Sequence, residues 1–157
     1  MTFQVVMERD RSGIRCGHVA VDFTTRSNAA EVPVVLINTL RGYLRVSTPE
    51  ATAFDLVGYP RHAGGLSNVV TVLAELAERL DALKLLVEIP RSPLPWTQRL
   101  GRLLDVAGAT PLAGALAEHV ARNVRDYTPL DPGRTTDGAE RDPRFKLFLN
   151  ADLEADT

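Results

Sequence analysis

The sequence predicts an α+β fold, in which a β-rich N-terminal part is followed by a helical part and one further strand. Short runs of β-branched and aromatic residues between turn residues occupy positions 1–46. Apolar residues at helical spacing dominate positions 47–125, and positions 126–157 form an extended tail with a strand pattern near 144–150. We predict one domain over residues 1–157. Its N-terminal sheet of about four to five strands would be joined by the C-terminal strand and packed against a bundle of about four to five helices.

Four stretches of the N-terminal part have the composition of strands. The chain opens on an apolar stretch at 3–7, and apolar residues alternate with more polar ones at 19–23 and 43–46, as in half-buried strands. The continuous branched run at 34–37 predicts a well-buried strand. Gly42 marks the turn between the last two of these strands.

Two helix-start signals overlap where the β-rich part ends. Ser47 and Glu50 have the spacing of a capping box, in which the serine accepts a backbone N–H of the first turn and the glutamate reaches back to the serine N–H. Thr48 followed by Pro49 offers a competing start with proline at the first helical position. Gly58 ends the helix in either case.

The clearest helical period lies at positions 66–80. Its apolar stripe comprises Leu66, Val69, Val70, Leu73, Leu76, Ala77 and Leu80. Asp81 is placed to cap a short following helix, and Thr97 is predicted to cap another that Gly108 closes. Gly101 inside that helix costs about 1 kcal/mol relative to alanine, so we infer a close approach to the helix backbone there.

The C-terminal part begins after a last helix that starts at Thr110 and Pro111. A polar stretch at 131–142 follows it. The alternating residues of the last predicted strand are Phe145, Leu147 and Leu149 on one side, and Lys146, Phe148 and Asn150 on the other. Because strand-forming residues would be wasted on a disordered tail, we expect this strand to join the N-terminal sheet.

The overall composition argues against several functional classes. The formal net charge is −2, from 18 basic and 20 acidic side chains, so the chain lacks the basic excess that drives nucleic-acid binding. Cys16 is the only cysteine, which excludes an intramolecular disulfide and fits a reducing cytoplasm. The sequence contains no apolar run long enough to span a bilayer and no signal-peptide pattern. We predict a cytoplasmic protein without metal, cofactor or membrane contact.

Several stretches of the chain together resemble one known family. Residues 46–56 read VSTPEATAFDL and are followed by YPR at 59–61 and AGGL at 63–66. Further along, 98–104 read QRLGRLL and 144–152 read RFKLFLNAD. In this order they resemble the C-terminal domain of AbiEi-type antitoxins, the antitoxin components of bacterial type IV toxin–antitoxin systems. The resemblance spans nearly the whole chain.

The resemblance implies a non-catalytic antitoxin domain that neutralises a nucleotidyltransferase-type toxin in phage abortive infection. Members usually carry an N-terminal winged helix-turn-helix that binds the promoter, whereas the first residues here already have a strand pattern. We therefore expect no DNA binding from this chain alone. Two alternatives remain open. The chain is a transcriptional-regulator fragment of the same family, whose DNA-binding part is missing or supplied by a partner, or it is an enzyme acting on the toxin or on nucleic acid.

The turn at 61–65 is the first candidate partner-binding site. Arg61, His62, Gly64 and Gly65 lie between two predicted helices, where a turn holds side chains at fixed angles. The N–H groups that open the second helix can face a phosphate, but the lysine and the Ser/Thr of a nucleotide-triphosphate loop are missing. An ordinary interhelix turn is the simpler interpretation.

Arg99 and Arg102 form the second candidate. They are three residues apart and share a helical face that the leucines do not occupy. Such a face can meet an acidic partner protein or RNA, and a plain solvated face is the simpler interpretation. Trp96 nearby is either an interface anchor or a lid over the helical core.

Catalytic residues are not predicted at any position. Glu50 and Asp55 are five residues apart and do not share a helical stripe, so they do not form a pair of acid–base carboxylates. Asp55 is expected to pair instead with a basic residue of the sheet or of the helix at 98–107.

Overall fold

The computed structural model describes residues 2–153. Within this range the chain forms eight strands and five α-helices, which confirms the α+β class. The residues group into two compact units, Met1–Ser47 and Thr48–Thr157. The single-domain organisation over residues 1–157 stays a prediction.

The first unit contains five strands in two separate sheets. The strands are β1 (Thr2–Met7), β2 (Ile14–Cys16), β3 (Val19–Thr25), β4 (Val34–Thr39) and β5 (Gly42–Ser47). β3 lies between β1, which is parallel to it, and β2, which is antiparallel. β4 and β5 form a hairpin of their own, so the prediction of one N-terminal sheet is wrong.

The branched run of β4 is exposed, contrary to the prediction of a well-buried strand. Val35 and Ile37 are each 47% exposed, and Leu36 is 64% exposed. Within residues 2–153, β4 pairs with β5 alone. The composition of the run reports its strand propensity correctly, but burial depends on a covering layer that composition does not specify.

The second unit is a helical bundle followed by a small sheet. Its helices are α1 (Pro49–Gly58), α2 (Leu66–Leu76), α3 (Ala82–Glu88), α4 (Leu94–Val106) and α5 (Thr110–Asn123). α4 packs against α1, α2 and α5. The core includes the fully buried side chains Phe54, Val69, Leu73, Leu85, Leu100, Leu103, Leu104, Leu116, Phe145 and Leu147. The predicted stripe at 66–80 faces this core, although the α-helix ends at Leu76 and a 3-10 turn, Ala77–Arg79, follows.

The start of α1 uses the second of the two predicted signals. Thr48 is the N-cap, and its hydroxyl accepts a hydrogen bond from the backbone N–H of Ala51 at 3.3 Å. Glu50 therefore occupies the second helical position rather than the third, and the Ser47–Glu50 capping box is wrong. The buried Glu50 carboxylate instead accepts the backbone N–H of Asp81 at 3.0 Å and so joins α1 to the start of α3.

Thr48→Ala is expected to lower the free energy of unfolding by about 1 kcal/mol, because the N–H of the first turn loses its capping oxygen. Urea denaturation measures the change. Thr71→Ala, an exposed position inside α2, is the control and should leave stability unchanged or slightly raised. Equal losses in the two variants would contradict the cap.

Three further predictions concern the helix ends and Gly101. Asp81 caps α3 as predicted, since its carboxylate accepts the backbone N–H of Lys84 at 3.0 Å. The cap assigned to Thr97 is wrong, because α4 begins at Leu94 and buries Thr97 inside it. The inferred close approach at Gly101 is confirmed: a Cβ placed there would lie 2.4 Å from Cε1 of the Phe145 ring.

The C-terminal segment forms a sheet by itself. β8 (Leu147–Leu149) lies between β6 (Thr128–Pro129), to which it is parallel, and β7 (Glu140–Asp142), to which it is antiparallel. The predicted last strand therefore exists, but its expected addition to the N-terminal sheet is wrong. Both partner strands of β8 lie shortly before it in the sequence. One of them comes from the polar stretch at 131–142, which has no apolar pattern of its own.

Candidate partner-binding site

The turn between α1 and α2 presents two exposed basic side chains on a rigid backbone. Arg61 and His62 lie in a short 3-10 helix, Pro60–Ala63, and both are exposed. Gly64 and Gly65 follow with φ of 82° and 97°, which L residues with a Cβ rarely adopt. The sequence therefore makes a tight reversal here.

Hydrogen bonds within the turn hold its backbone in place. The N–H of Gly65 donates to the carbonyl of Pro60 at 2.7 Å, and the N–H of Gly64 donates to that of Arg61 at 3.3 Å. The Asn68 amide donates to the carbonyl of Ala63 at 2.5 Å. Both glycine N–H groups are therefore engaged within the turn, and a phosphate contact at the N–H groups that open α2 stays a prediction.

Two aromatic rings, those of Tyr59 and Trp96, pack beside the turn. The Tyr59 ring meets the His62 ring edge-on at 6.0 Å between centroids, and it meets the Trp96 ring edge-on at 5.5 Å. Trp96 is partly buried against the core and covers Gly58 so closely that an added Cβ would lie 2.3 Å from the indole. Trp96 therefore packs as the predicted lid over the helical core, and its role as an interface anchor stays a prediction.

Arg99 is buried, so the prediction of an exposed arginine face is wrong at this position. Its side chain is buried where α4 packs against the C-terminal segment, and its Nε donates a hydrogen bond to the carbonyl of Pro129 at 2.9 Å. Burial lowers the pKa of Arg99 below its usual value, and the nearby Asp131 carboxylate acts in the opposite direction. A guanidinium stays protonated at neutral pH despite such a shift. Arg99 therefore fixes the segment that follows β6.

Arg102 is partly exposed and contacts β7, the edge strand opposite β6 in the C-terminal sheet. Its Nη1 lies 3.6 Å from Oδ2 of Asp142, and its side chain is 31% exposed. The Asp142 carboxylate also accepts the backbone N–H of Arg144, whose guanidinium pairs with Asp105 at 3.1 Å. These charges attach α4 to the turn between β7 and β8.

Gln98 is a structural anchor that the sequence did not reveal. It is buried in α4, and its amide lies within 3.2 Å of the carbonyls of Asp126, Phe145 and Lys146. A buried polar residue inside a helix has to find such partners, so its position beside a leucine stripe is the signal that could have pointed to it.

The structure brings part of the two candidate sites together. Arg61 Nη2 lies 3.9 Å from the position that a Cβ on Gly133 would take, and Arg99 holds Pro129 a few residues earlier. The segment 129–133 therefore lies beside the turn at 60–65 and also accepts the hydrogen bond from Arg99. Arg102 contacts β7 instead. Asp55 lies within α1, and its predicted pairing with a basic residue stays a prediction.

Residues 2–153 contain no cluster of metal ligands and no helix able to cross a membrane. In this range, no group of three or more His, Cys, Asp or Glu side chains could hold a metal ion. Nor does any helix in it combine the length and the hydropathy that crossing a bilayer requires.

Comparison with known proteins gives one family and one fold. The family model of the AbiEi antitoxin C-terminal domain matches residues 1–106 of the 157. No curated protein matches the chain. The crystal structure of the RV2827C protein from Mycobacterium tuberculosis is similar in fold, with a TM-score of 0.56 and 20% sequence identity over 83% of this chain. The similar region is 48% of that protein, so this chain spans about half of its length.

Proposed function

Because the chain belongs to the AbiEi antitoxin C-terminal domain family, we propose that it is a non-catalytic antitoxin that neutralises a nucleotidyltransferase-type toxin of a type IV system. The observation that carries this proposal is the family match over residues 1–106, which includes the turn at 60–65 and all of α4. We place its action in the bacterial cytoplasm, in defence against phage by abortive infection. The exposed thiol of Cys16 fits a reducing compartment.

The turn carrying Arg61 and His62 is the proposed contact with the toxin. Its backbone is fixed by internal hydrogen bonds, so little backbone freedom is lost on binding, and its two exposed side chains are accessible to a partner. An arginine can pair with a carboxylate through two parallel hydrogen bonds. Gly64 and Gly65 allow the reversal, and Arg99 positions the neighbouring segment without touching the partner.

Growth rescue tests the proposal and the turn together. The gene adjacent to that of this chain is expressed with and without the chain, and the wild-type chain is expected to restore growth if the product of that gene is the toxin. Arg61→Glu should reduce the rescue while leaving the fold intact, since exposed substitutions usually change stability by less than about 0.5 kcal/mol. Circular dichroism verifies the fold.

Arg79→Glu is the matched control, because Arg79 is also an exposed arginine of the second unit and the charge change is the same. This variant should rescue as the wild type does. Failure of the wild-type chain to restore growth contradicts the antitoxin function. Full rescue by a folded Arg61→Glu variant removes the turn from the contact.

A further inference from the structure

The turn that leads into β7 contains an aspartate followed directly by a glycine. Asp137 and Gly138 form this pair, and no other aspartate or asparagine of the sequence precedes a glycine. The backbone N–H of Ala139 closes the turn by donating to the carbonyl of Thr136 at 3.1 Å. Gly138 has a φ of 72°, which suits the third position of a type II turn and favours glycine there. The pair therefore occupies the middle of an exposed turn.

An aspartate in such a pair can react with the backbone of the next residue. The backbone nitrogen of that residue attacks Cγ of the aspartic acid side chain. A Cγ–N bond forms, and the carboxyl hydroxyl leaves with the amide proton as water. A second water then opens the resulting cyclic imide at either of its carbonyls. Opening at the main-chain carbonyl leaves the chain connected through the side chain, which is an isoaspartate, so the overall reaction is an isomerisation without a further reactant.

The backbone nitrogen of Gly138 is free to act as the nucleophile. Among residues 2–153 its N–H donates to no acceptor, whereas the N–H of Asp137 donates to Oγ1 of Thr135 at 3.2 Å. In this part of the chain, a Cβ placed on Gly138 would meet nothing within 4 Å beyond the adjoining residues. The glycine also has no side chain of its own to crowd the approach to the carboxyl carbon.

The carboxylate of Asp137 is exposed and unpaired as well. It takes part in no ion pair or side-chain hydrogen bond of residues 2–153. By contrast, Asp131 pairs with Arg134 at 3.4 Å, and Asp142 accepts the backbone N–H of Arg144. Both of those aspartates also precede a proline, which has no N–H to lose. Of the three aspartates at 131–142, Asp137 alone combines a free carboxylate with a free N–H on the next residue.

We propose that Asp137–Gly138 is a site of spontaneous isoaspartate formation, and that the altered chain is a substrate for enzymes that methylate isoaspartyl carboxyl groups. The inference does not depend on the proposed antitoxin function. Isoaspartate adds one methylene to the main chain and leaves a free carboxylate on the α-carbon of an exposed residue. Because β7 begins at Glu140, the change falls just before the strand that Arg102 contacts through Asp142.

The test follows the purified chain during incubation in neutral buffer. Isoaspartate is measured by methyl transfer from S-adenosylmethionine with an isoaspartyl methyltransferase. Its position is found in the peptide 135–141, which trypsin releases by cleaving after Arg134 and Arg141 and which contains Asp137 as its only aspartate. We expect a second form of this peptide to accumulate, with the same mass, a different elution time and resistance to an aspartate-specific protease.

Asp137→Glu keeps the charge but needs a larger imide ring, so this variant is expected to lose most of the methyl acceptance. Asp126→Glu is the matched control, because it makes the same change at another exposed aspartate and should accept methyl groups as the wild type does. Circular dichroism verifies that both variants are folded. A synthetic peptide of residues 135–141 gives the rate without the fold. The folded chain should approach that rate, because the turn leaves both reacting groups free.

Three results would overturn the inference. A wild-type chain that keeps a single form of 135–141, while the free peptide isomerises, would mean that the fold protects the pair. Equal methyl incorporation by the wild type and by folded Asp137→Glu would place the isoaspartate elsewhere in the chain. Loss of incorporation in folded Asp126→Glu would do the same. None of these measurements uses growth rescue, so they stand apart from the test of the proposed function.

Discussion

Phe145→Ala is expected to lower the free energy of unfolding by about 3–5 kcal/mol, as large-to-small changes at fully buried aromatic residues do. Phe145 is fully buried in the core of the second unit. It is also one of the residues through which the C-terminal segment packs onto α4, because its ring lies on the helix backbone at Gly101. Urea denaturation followed by circular dichroism gives the change.

A double-mutant cycle with Gly101 shows whether the ring and the glycine form one contact. Gly101→Ala alone should destabilise the protein by about 1–3 kcal/mol, since the new Cβ would overlap the ring. In the Phe145→Ala background the same change should be neutral or stabilising by up to about 1 kcal/mol, the helix propensity of alanine over glycine.

Gly114→Ala in α5 is the matched control. The nearest atom to an added Cβ there is Nη2 of Arg144 at 4.0 Å, so the alanine meets no ring. This variant should be stabilised by about 1 kcal/mol in either background. Additive effects of Gly101→Ala and Phe145→Ala would contradict the packing described here.

The sequence predicted those features of the fold that depend on local pattern. The stripe from Leu66 to Leu80 needs only the helical period, and the cap at Asp81 needs only a carboxylate before an apolar run. Gly101 was informative because a glycine inside a helix has a free-energy cost that close packing explains.

Features that depend on distant parts of the chain could not be predicted. The pairing of β8 depends on which strands lie beside it, and the local pattern of Leu147 and Leu149 is the same for any partner. The exposure of Leu36 and Ile37 in β4 likewise depends on what covers the hairpin, which branched composition does not state.

The candidate site was predicted in part, for the same reason. Arg61 and His62 are exposed on a tight turn, as glycines after a short helix predict. The positions of Arg99 and Arg102 on a common helical side were correct, but the segment after β6 covers that side at Arg99.

Arg99→Glu is expected to destabilise the protein by about 3–5 kcal/mol, because it replaces a buried, hydrogen-bonded cation by a buried anion. The new carboxylate cannot donate to the carbonyl of Pro129 and would lie near the Asp131 carboxylate. Arg99→Met separates the two effects. It removes the donor without adding a negative charge and should cost about 1–3 kcal/mol, the cost of an unsatisfied buried acceptor.

The control is Arg79→Glu, whose exposed side chain should make the same charge reversal nearly neutral. In urea denaturation, Arg79→Glu should therefore have the highest midpoint of the three variants, Arg99→Met an intermediate one and Arg99→Glu the lowest. Equal midpoints for Arg79→Glu and Arg99→Glu would mean that position 99 is solvated. If the expected ranking holds, a loss of growth rescue by Arg99→Glu reports unfolding and not a lost contact. The contact with the toxin is then tested at Arg61, where charge reversal leaves the core untouched.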